Sequence, residues 1–121
     1  MTLRQLTARA RRIRTLYAAY EIRRNGRAWS PAELAQGFAG DLGDLMKLVM
    51  AKEGRRVTKH KDLDAALEHE LADCLWSVLC LADVYGLDLQ RAFLLTMKQL
   101  EAQLTSPRRT RTVRTPRARR G

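Results

Sequence analysis

Four acidic residues occur as two pairs of the same spacing, and they are the side chains of this sequence best suited to metal chemistry. Asp41 and Asp44 form the first pair, and Glu70 and Asp73 form the second. Residues three positions apart lie on one face of an α-helix, about one turn from each other. Two such pairs on neighbouring helices can face each other, and four carboxylates suit Mg²⁺, or Mn²⁺, better than Zn²⁺.

The same acids could instead be surface charges. In that interpretation Asp44 pairs with Lys47, and Asp73 faces solvent or a partner chain, each contact contributing at most about 1 kcal/mol. The pattern favours an inward orientation, because Asp41 lies within the apolar arc of its helix and Glu70 shares a strip with small residues. An unpaired buried ion destabilises a fold, and a divalent cation offsets that cost. Three further acids lie off the strip, namely Asp64, Glu68 and Asp83.

The nitrogen and sulfur ligands of the sequence do not extend this site. Cys74 and Cys80 are six residues apart within one apolar stretch, a spacing that matches no metal motif. We expect both to be reduced core residues. We also expect the two histidines, His60 and His69, to lie outside the acidic cluster.

The elements that must position these acids are helices. Apolar residues recur every three or four positions in four stretches, and no stretch alternates with period two. Ser30, Asp62 and Asp88 are the expected N-caps, the first of them in a capping box that Glu33 completes. The third stretch is apolar on nearly all sides, which is typical of a central helix. The sequence therefore predicts an all-α, four-helix bundle-like fold with helices at about residues 3–24, 31–53, 63–85 and 89–104.

Charge is distributed unevenly along the 121 residues, whose formal net charge is +10. Residues 1–27 carry eight Arg and one Glu, residues 105–121 carry seven Arg and no acid, and residues 28–104 have a net charge of −4. We therefore expect one acidic helical domain at 28–104, a basic helix at 1–27 that packs on it, and a disordered Arg-rich tail at 105–121. An acidic centre repels bare phosphate unless a cation lies between them.

Composition and hydropathy favour a soluble globular protein over a disordered or membrane-spanning one. Hydrophobic residues make up 45% and charged residues 30% of the chain, a balance typical of soluble globular proteins. No apolar run approaches the roughly 18 residues that span a bilayer, so we expect no membrane association. The Arg-rich N-terminus could be a mitochondrial transit peptide, but its helical rhythm continues past Glu21, and we expect a cytoplasmic protein.

The acid pairs and their surroundings carry a resemblance to a known family. Residues 33–101 are similar to the MazG-like all-α nucleoside triphosphate pyrophosphohydrolases. The "GEL" and "ELADVL" sequences of that family reappear in altered form at Gly43–Leu45 and Glu70–Leu75. Its E-x-x-E and E-x-x-D motifs match the two acid pairs, although both acids of the first pair are Asp here.

The resemblance implies hydrolysis of a nucleoside triphosphate to a nucleoside monophosphate and pyrophosphate, with house-cleaning of non-canonical nucleotides as one role. It implies that Mg²⁺ is held by Asp41, Asp44, Glu70 and Asp73. It also implies that a carboxylate of the first pair activates water, which makes Asp41 and Asp44 the candidate catalytic residues. The shorter acids leave open the alternative of a catalytically silent MazG-like partner subunit.

Candidate substrate contacts flank the acid pairs. Trp29 precedes the second helix and could stack on a nucleobase, whereas Trp76 is expected in the core or in an interface. The candidate phosphate contacts are the basic residues Lys47, Lys52, Arg55, Arg56 and Lys98. Four helices of this length leave more apolar surface than one chain covers, so we expect a homodimer or homotetramer.

A second class of function follows from the Arg-rich ends. A non-catalytic helical protein could use those fifteen Arg to associate with nucleic acid through its phosphates, in a salt-dependent and sequence-independent way. Neither end contains a recognised DNA-reading motif. A non-catalytic nucleic-acid-associating protein therefore stays the alternative function, and beside a pyrophosphohydrolase activity the Arg-rich tail could make weak non-specific nucleic-acid contact.

Overall fold

The computed structural model describes residues 1–106, and within them the chain consists of four α-helices and no strand. The helices are α1 (Leu3–Asn25), α2 (Pro31–Lys52), α3 (Leu63–Val84) and α4 (Leu89–Thr105). The predicted all-α class is confirmed, and every predicted helix end lies within one residue of the observed end. The predicted disordered tail lies outside the described residues. None of these four helices combines the length and the apolar character needed to cross a membrane.

Local capping chemistry determines where the helices begin and end. α2 starts with a capping box, in which Ser30 Oγ accepts the N–H of Glu33 and a carboxylate oxygen of Glu33 accepts the N–H of Ser30. Asp62 and Asp88 are the N-caps of α3 and α4, and each accepts a backbone N–H of the first turn. Gly26, with φ of 83°, ends α1 in a left-handed conformation that favours glycine.

The chain forms two compact units, Met1–Leu87 and a segment that starts at Asp88 and contains α4. In the first unit α3 is the central helix, because it packs against both α2 and α1. It supplies five of the eight buried side chains found among the described residues. Cys74 and Cys80 are two of them and are free thiols, as expected. The prediction that the third helix is central is confirmed.

A charged cluster fixes α1 against α3. Arg11 Nη2 lies 2.6 Å from Oδ1 of Asp83, and Arg14 Nη2 lies 2.7 Å from Oδ2 of the same side chain. The Asp83 side chain is only 14% exposed, so these charge-assisted bonds are better shielded than ordinary surface ion pairs. Further along α3, the indole N–H of Trp76 donates to the carbonyl oxygen of Ala10 at 3.2 Å. These contacts hold α1 beside the face of α3 that carries Trp76.

Candidate metal centre

The structure brings three of the four predicted acids into one close group where α2 packs on α3, and the fourth, Asp73, lies beside Glu70 in a second group. One carboxylate oxygen from each of Asp41, Asp44 and Glu70 lies within 4.8 Å of the other two. Asp73 is near enough to Asp41 and Glu70 for its charge to raise the pKa of both carboxyl groups. We call these four residues the acidic quartet.

The acidic quartet is partly withdrawn from solvent. Three of its members are half-buried, and only Asp44 is exposed. The helical period of α2 explains this difference, because Leu34 and Leu48 each lie seven residues from Asp41 and are buried on the same face. Asp44 lies at the edge of that face. The predicted inward orientation therefore holds for Asp41 more fully than for Asp44.

Burial and mutual repulsion perturb the carboxyl groups of the quartet. Desolvation is the largest cause that raises the pKa of Asp41 and of Glu70 above the ordinary value, and repulsion from Asp73 adds to it. Desolvation and the same negative charges also raise the pKa of the adjacent Cys74 thiol. The site thus concentrates negative charge at a cost to the fold, and a bound cation relieves that cost.

Glu70 carries an atom that its surroundings do not satisfy. Its Oε1 is buried, and no residue in the described part of the chain donates a hydrogen bond to it. Buried polar atoms are nearly always paired, so this orphaned oxygen indicates a position suited to a cation. Opposite oxygen ligands of Mg²⁺ are about 4.2 Å apart. Oxygens that already lie within 4.8 Å of one another need only a small contraction to fit such an ion.

His69 is the residue that sequence reasoning misplaced. Its Nε2 lies 3.2 Å from Oδ2 of Asp73, and donor atoms of His69, Glu70 and Asp73 lie within 4.8 Å of one another. The expectation that both histidines lie outside the acidic cluster was therefore wrong for His69. The available signal was its spacing of four residues from Asp73, which places both on one face of α3. The charge of His69 lowers the pKa of Glu70, whereas the neighbouring acids raise it.

One cavity opens beside Asp41 and Asp73 and has a volume of about 580 Å³. We call it the aromatic cavity, after the rings that line it: Tyr17, Tyr20, Trp29 and Trp76. Trp76 meets Tyr17 edge-on, with the ring centroids 5.8 Å apart. Trp76 is half-buried, so it contributes both to the packing of α1 on α3 and to the wall of this cavity.

Trp29 is held in the aromatic cavity from two sides. Its backbone N–H donates to Oε1 of Glu21 at 2.8 Å. Its indole ring lies against Gly37, where an added Cβ would come within 3.4 Å of the ring. The residue nevertheless remains 48% exposed, so part of the ring is accessible for stacking.

A second cavity opens beside Asp44 and Glu70 and has a volume of about 660 Å³. The loop between α2 and α3 forms much of its wall. We call it the basic cavity, after the nitrogen-bearing side chains that line it: Lys47, Arg56, Lys59, His60 and His69.

The structure separates the candidate phosphate contacts. Lys47 and Arg56 line the basic cavity, beside the quartet, whereas Arg55 is not among its lining residues. Lys52 is engaged elsewhere, because its Nζ lies 2.6 Å from Oδ1 of Asp64. Lys98 belongs to α4, in the second unit.

Comparison with known families identifies the origin of this arrangement. The family model of the MazG nucleotide pyrophosphohydrolase domain matches residues 34–103, more than half of the chain. The chain belongs to the MazG family. The match includes the whole acidic quartet, whereas α1 and Trp29 precede the MazG domain. Searches of curated proteins and of solved structures gave no significant match.

Proposed function

We propose that this MazG protein is a metal-dependent nucleoside triphosphate pyrophosphohydrolase. It converts a nucleoside or deoxynucleoside triphosphate and water to the monophosphate and pyrophosphate, with non-canonical nucleotides among the candidate substrates. One observation carries the proposal: carboxylates of α2 and α3 converge at Glu70, whose Oε1 is buried and has no hydrogen-bond partner among the described residues. Membership of the MazG family supports the reaction class.

The acidic quartet supplies the ligands for Mg²⁺ or Mn²⁺. An ion held by these four carboxylates would neutralise charge on the phosphoryl oxygens and lower the pKa of the attacking water. This role accounts for a small domain that keeps several half-buried acids together in spite of their repulsion.

The carboxylates of α2 act on the attacking water. Asp41 or Asp44 holds that water in hydrogen-bond reach and accepts its proton. The water oxygen forms a bond to the α phosphorus while the bond from this phosphorus to the α–β bridging oxygen breaks. The bridging oxygen keeps the electron pair and leaves as part of pyrophosphate. Asp44 is exposed, so water from bulk solvent reaches this side of the quartet.

The aromatic cavity is suited to the nucleoside. Accessible rings offer stacking surfaces, and base–aromatic stacking contributes about 1–3 kcal/mol per base in other proteins. Trp29→Ala is expected to raise KM for the nucleotide about tenfold, within that range. Metal-linked stability should stay unchanged, because Trp29 is not among the residues that could hold the ion. An unchanged KM would exclude Trp29 from nucleoside binding.

Homo-oligomerisation is part of the proposal, because the first unit keeps large apolar side chains exposed on all three of its helices. Examples are Leu16 on α1 at 49%, Met46 on α2 at 65% and Leu71 on α3 at 54%. Such surfaces usually close by association with a second copy. Light scattering of the full chain should give the mass of a dimer or tetramer, and a monomer at micromolar concentration would contradict this.

The alternative role in nucleic-acid association draws on the Arg-rich ends. Arg11 and Arg14 of α1 are already engaged with Asp83, which reduces the charge that α1 offers to phosphate. The basic residues beyond 106 lie outside the described part of the chain. Pyrophosphohydrolysis is therefore the function that the described site supports best.

The proposal is tested by incubating the full chain with Mg²⁺ and a panel of nucleoside triphosphates, and by identifying both products. The expected products are the nucleoside monophosphate and pyrophosphate in equal amounts. Release of orthophosphate with a nucleoside diphosphate would assign a different phosphohydrolase reaction. No turnover with any member of the panel, in Mg²⁺ or Mn²⁺, would favour the catalytically silent partner subunit.

A further inference from the structure

The acidic quartet lies on the boundary between two cavities of different chemistry. Asp41 and Asp73 line the aromatic cavity, whereas Asp44 and Glu70 line the basic cavity. Within the described chain the two cavities share no lining residue. A ligand that extends past the quartet from one cavity to the other would have one end among rings and the other end among cations.

The loop over residues 53–62 is positioned by contacts at both of its ends. At its start Gly54 adopts a positive φ of 76°, and the N–H of Arg55 donates to the carbonyl oxygen of Met50 at 2.8 Å. Across its base the ion pair of Lys52 with Asp64 joins the end of α2 to the start of α3. In this conformation the loop places some of its side chains in the wall of the basic cavity and others outside it.

Four cations of the loop fall into two pairs, one inside and one outside the lining of the basic cavity. Arg56 and Lys59 line the basic cavity, whereas Arg55 and Lys61 are not among its lining residues. Neither Arg56 nor Lys59 forms a salt bridge with any residue of the 1–106 segment. Two cations that form no salt bridge among the described residues thus lie in the same cavity as Asp44 and Glu70 of the quartet. An anion that carries a divalent cation can satisfy both kinds of group.

We propose that the basic cavity binds the β and γ phosphates of the substrate, which depart as pyrophosphate, and that Arg56 and Lys59 are the principal contacts. This inference rests on the proposed function and gives the substrate a direction. The nucleoside lies on the aromatic side, the scissile α–β bond lies at the quartet, and the leaving group lies under the loop. Arg56 can bind two phosphate oxygens through its planar fork, while Lys59 adds a compact charge.

The site selects for length of the phosphate chain. A triphosphate reaches the loop cations after spanning the quartet, whereas a monophosphate leaves them uncontacted. Pyrophosphate binds this half of the site by itself and competes with the triphosphate. Both effects come from the loop and are independent of which base occupies the aromatic cavity.

The test compares two double variants that lose the same charge from the same loop. Arg56→Gln with Lys59→Gln removes the cations that line the cavity, and Arg55→Gln with Lys61→Gln removes their neighbours outside it. Because the net charge is matched, general electrostatic attraction falls equally in both. Calorimetry in Mg²⁺ measures the binding of inorganic pyrophosphate to each full-length protein. Circular dichroism confirms that both variants keep the helical content of the parent.

We expect Arg56→Gln with Lys59→Gln to raise the dissociation constant for pyrophosphate at least about tenfold, since one hydrogen bond to a charged group contributes enough for that factor. The Arg55 and Lys61 variant should stay within about twofold of the parent, because the remaining difference is long-range and screened by salt. Equal weakening in both variants would overturn the inference.

The same proteins separate this inference from the proposed function. If the parent hydrolyses triphosphates and both double variants keep the parent KM, pyrophosphohydrolysis stands and the loop assignment fails. The opposite result is also possible: the parent hydrolyses no triphosphate, yet pyrophosphate binding is lost only when Arg56 and Lys59 are replaced. In that case the loop site stands and the proposed reaction fails.

Discussion

Glu70 gives the sharpest prediction, because its replacement by Gln should stabilise the metal-free protein but remove most of the stabilisation that Mg²⁺ provides. Without metal, the Glu70 carboxylate is repelled by its neighbours and one of its oxygens is buried without a described donor. Glu70→Gln removes that charge, and the new amide N–H groups can donate to the remaining acids. The metal-free variant should therefore be more stable than the parent.

The expected magnitude follows from the separation of the carboxylates. Oxygens of Glu70, Asp41 and Asp44 lie within 4.8 Å of one another. At that distance two unit charges repel by about 1 kcal/mol in water and about 3 kcal/mol at the effective dielectric of a protein surface. Asp44 is exposed, so the lower figure applies to it. Glu70→Gln should raise the free energy of unfolding in EDTA by about 1–3 kcal/mol, or the melting temperature by about 4 °C or more.

Binding of Mg²⁺ should then stabilise the parent much more than the variant. At 100 times the dissociation constant an ion stabilises the native parent by about 2.7 kcal/mol. Loss of one ligand that weakens affinity about 100-fold reduces this gain to about 0.4 kcal/mol. Glu68→Gln is the matched control, since Glu68 is exposed on the same helix and is not among the candidate ligands. Calorimetric melts in EDTA and in Mg²⁺ at equal ionic strength measure both effects. A parallel response of the Glu70 and Glu68 variants would refute the reasoning.

Further predictions concern Asp83 and the two acids of α2. Asp83→Asn should destabilise the fold by about 2 kcal/mol, between the values for surface and buried ion pairs, because it breaks the contacts with Arg11 and Arg14. Hydrogen bonding to Arg11 lowers the pKa of Asp83. The stabilisation by the Asp83 carboxylate is therefore complete above the ordinary Asp pKa and is lost as the pH falls through the lowered pKa. The melting temperatures of the parent and the variant should converge in acid, and a difference that stays constant with pH would contradict this. Asp41→Glu should reduce pyrophosphate release more than Asp44→Glu, because the half-buried Asp41 has less room for a longer side chain than the exposed Asp44. A gain of activity in Asp41→Glu would instead mean that the native side chain is too short.

Local signals made the helices and the acid pairs predictable. The N-caps Ser30, Asp62 and Asp88 act within a few residues of the helix starts, so their effect can be recognised without tertiary structure. The acid pairs required only two steps, the helical period and the packing of consecutive helices α2 and α3. Those short steps explain why both pairs could be placed on facing helices before the fold was known.

The remaining features depend on contacts between residues far apart in sequence. The cluster of Arg11, Arg14 and Asp83 joins side chains about 70 positions apart, and its formation depends on the rotation of α1 about its axis. The aromatic cavity depends on the same rotation, so Trp76 could be assigned to a core or an interface but not to a cavity wall. His69 was missed for a different reason, since its spacing places it on the same face as Asp73, but an imidazole is not among the oxygen ligands that Mg²⁺ prefers.

Asp73 provides the most direct test of the claim that the acidic quartet is a catalytic metal site. Asp73→Asn keeps the size of the side chain but removes its charge, and turnover should fall at least about 100-fold, the upper range for loss of a supporting metal contact. The measurement is pyrophosphate release from a nucleoside triphosphate at saturating Mg²⁺, with Glu68→Gln as the control that retains parent activity. A large loss in Asp73→Asn alone is the result that the account predicts. Equal pyrophosphate release by the parent and Asp73→Asn would contradict it and remove the quartet from the mechanism.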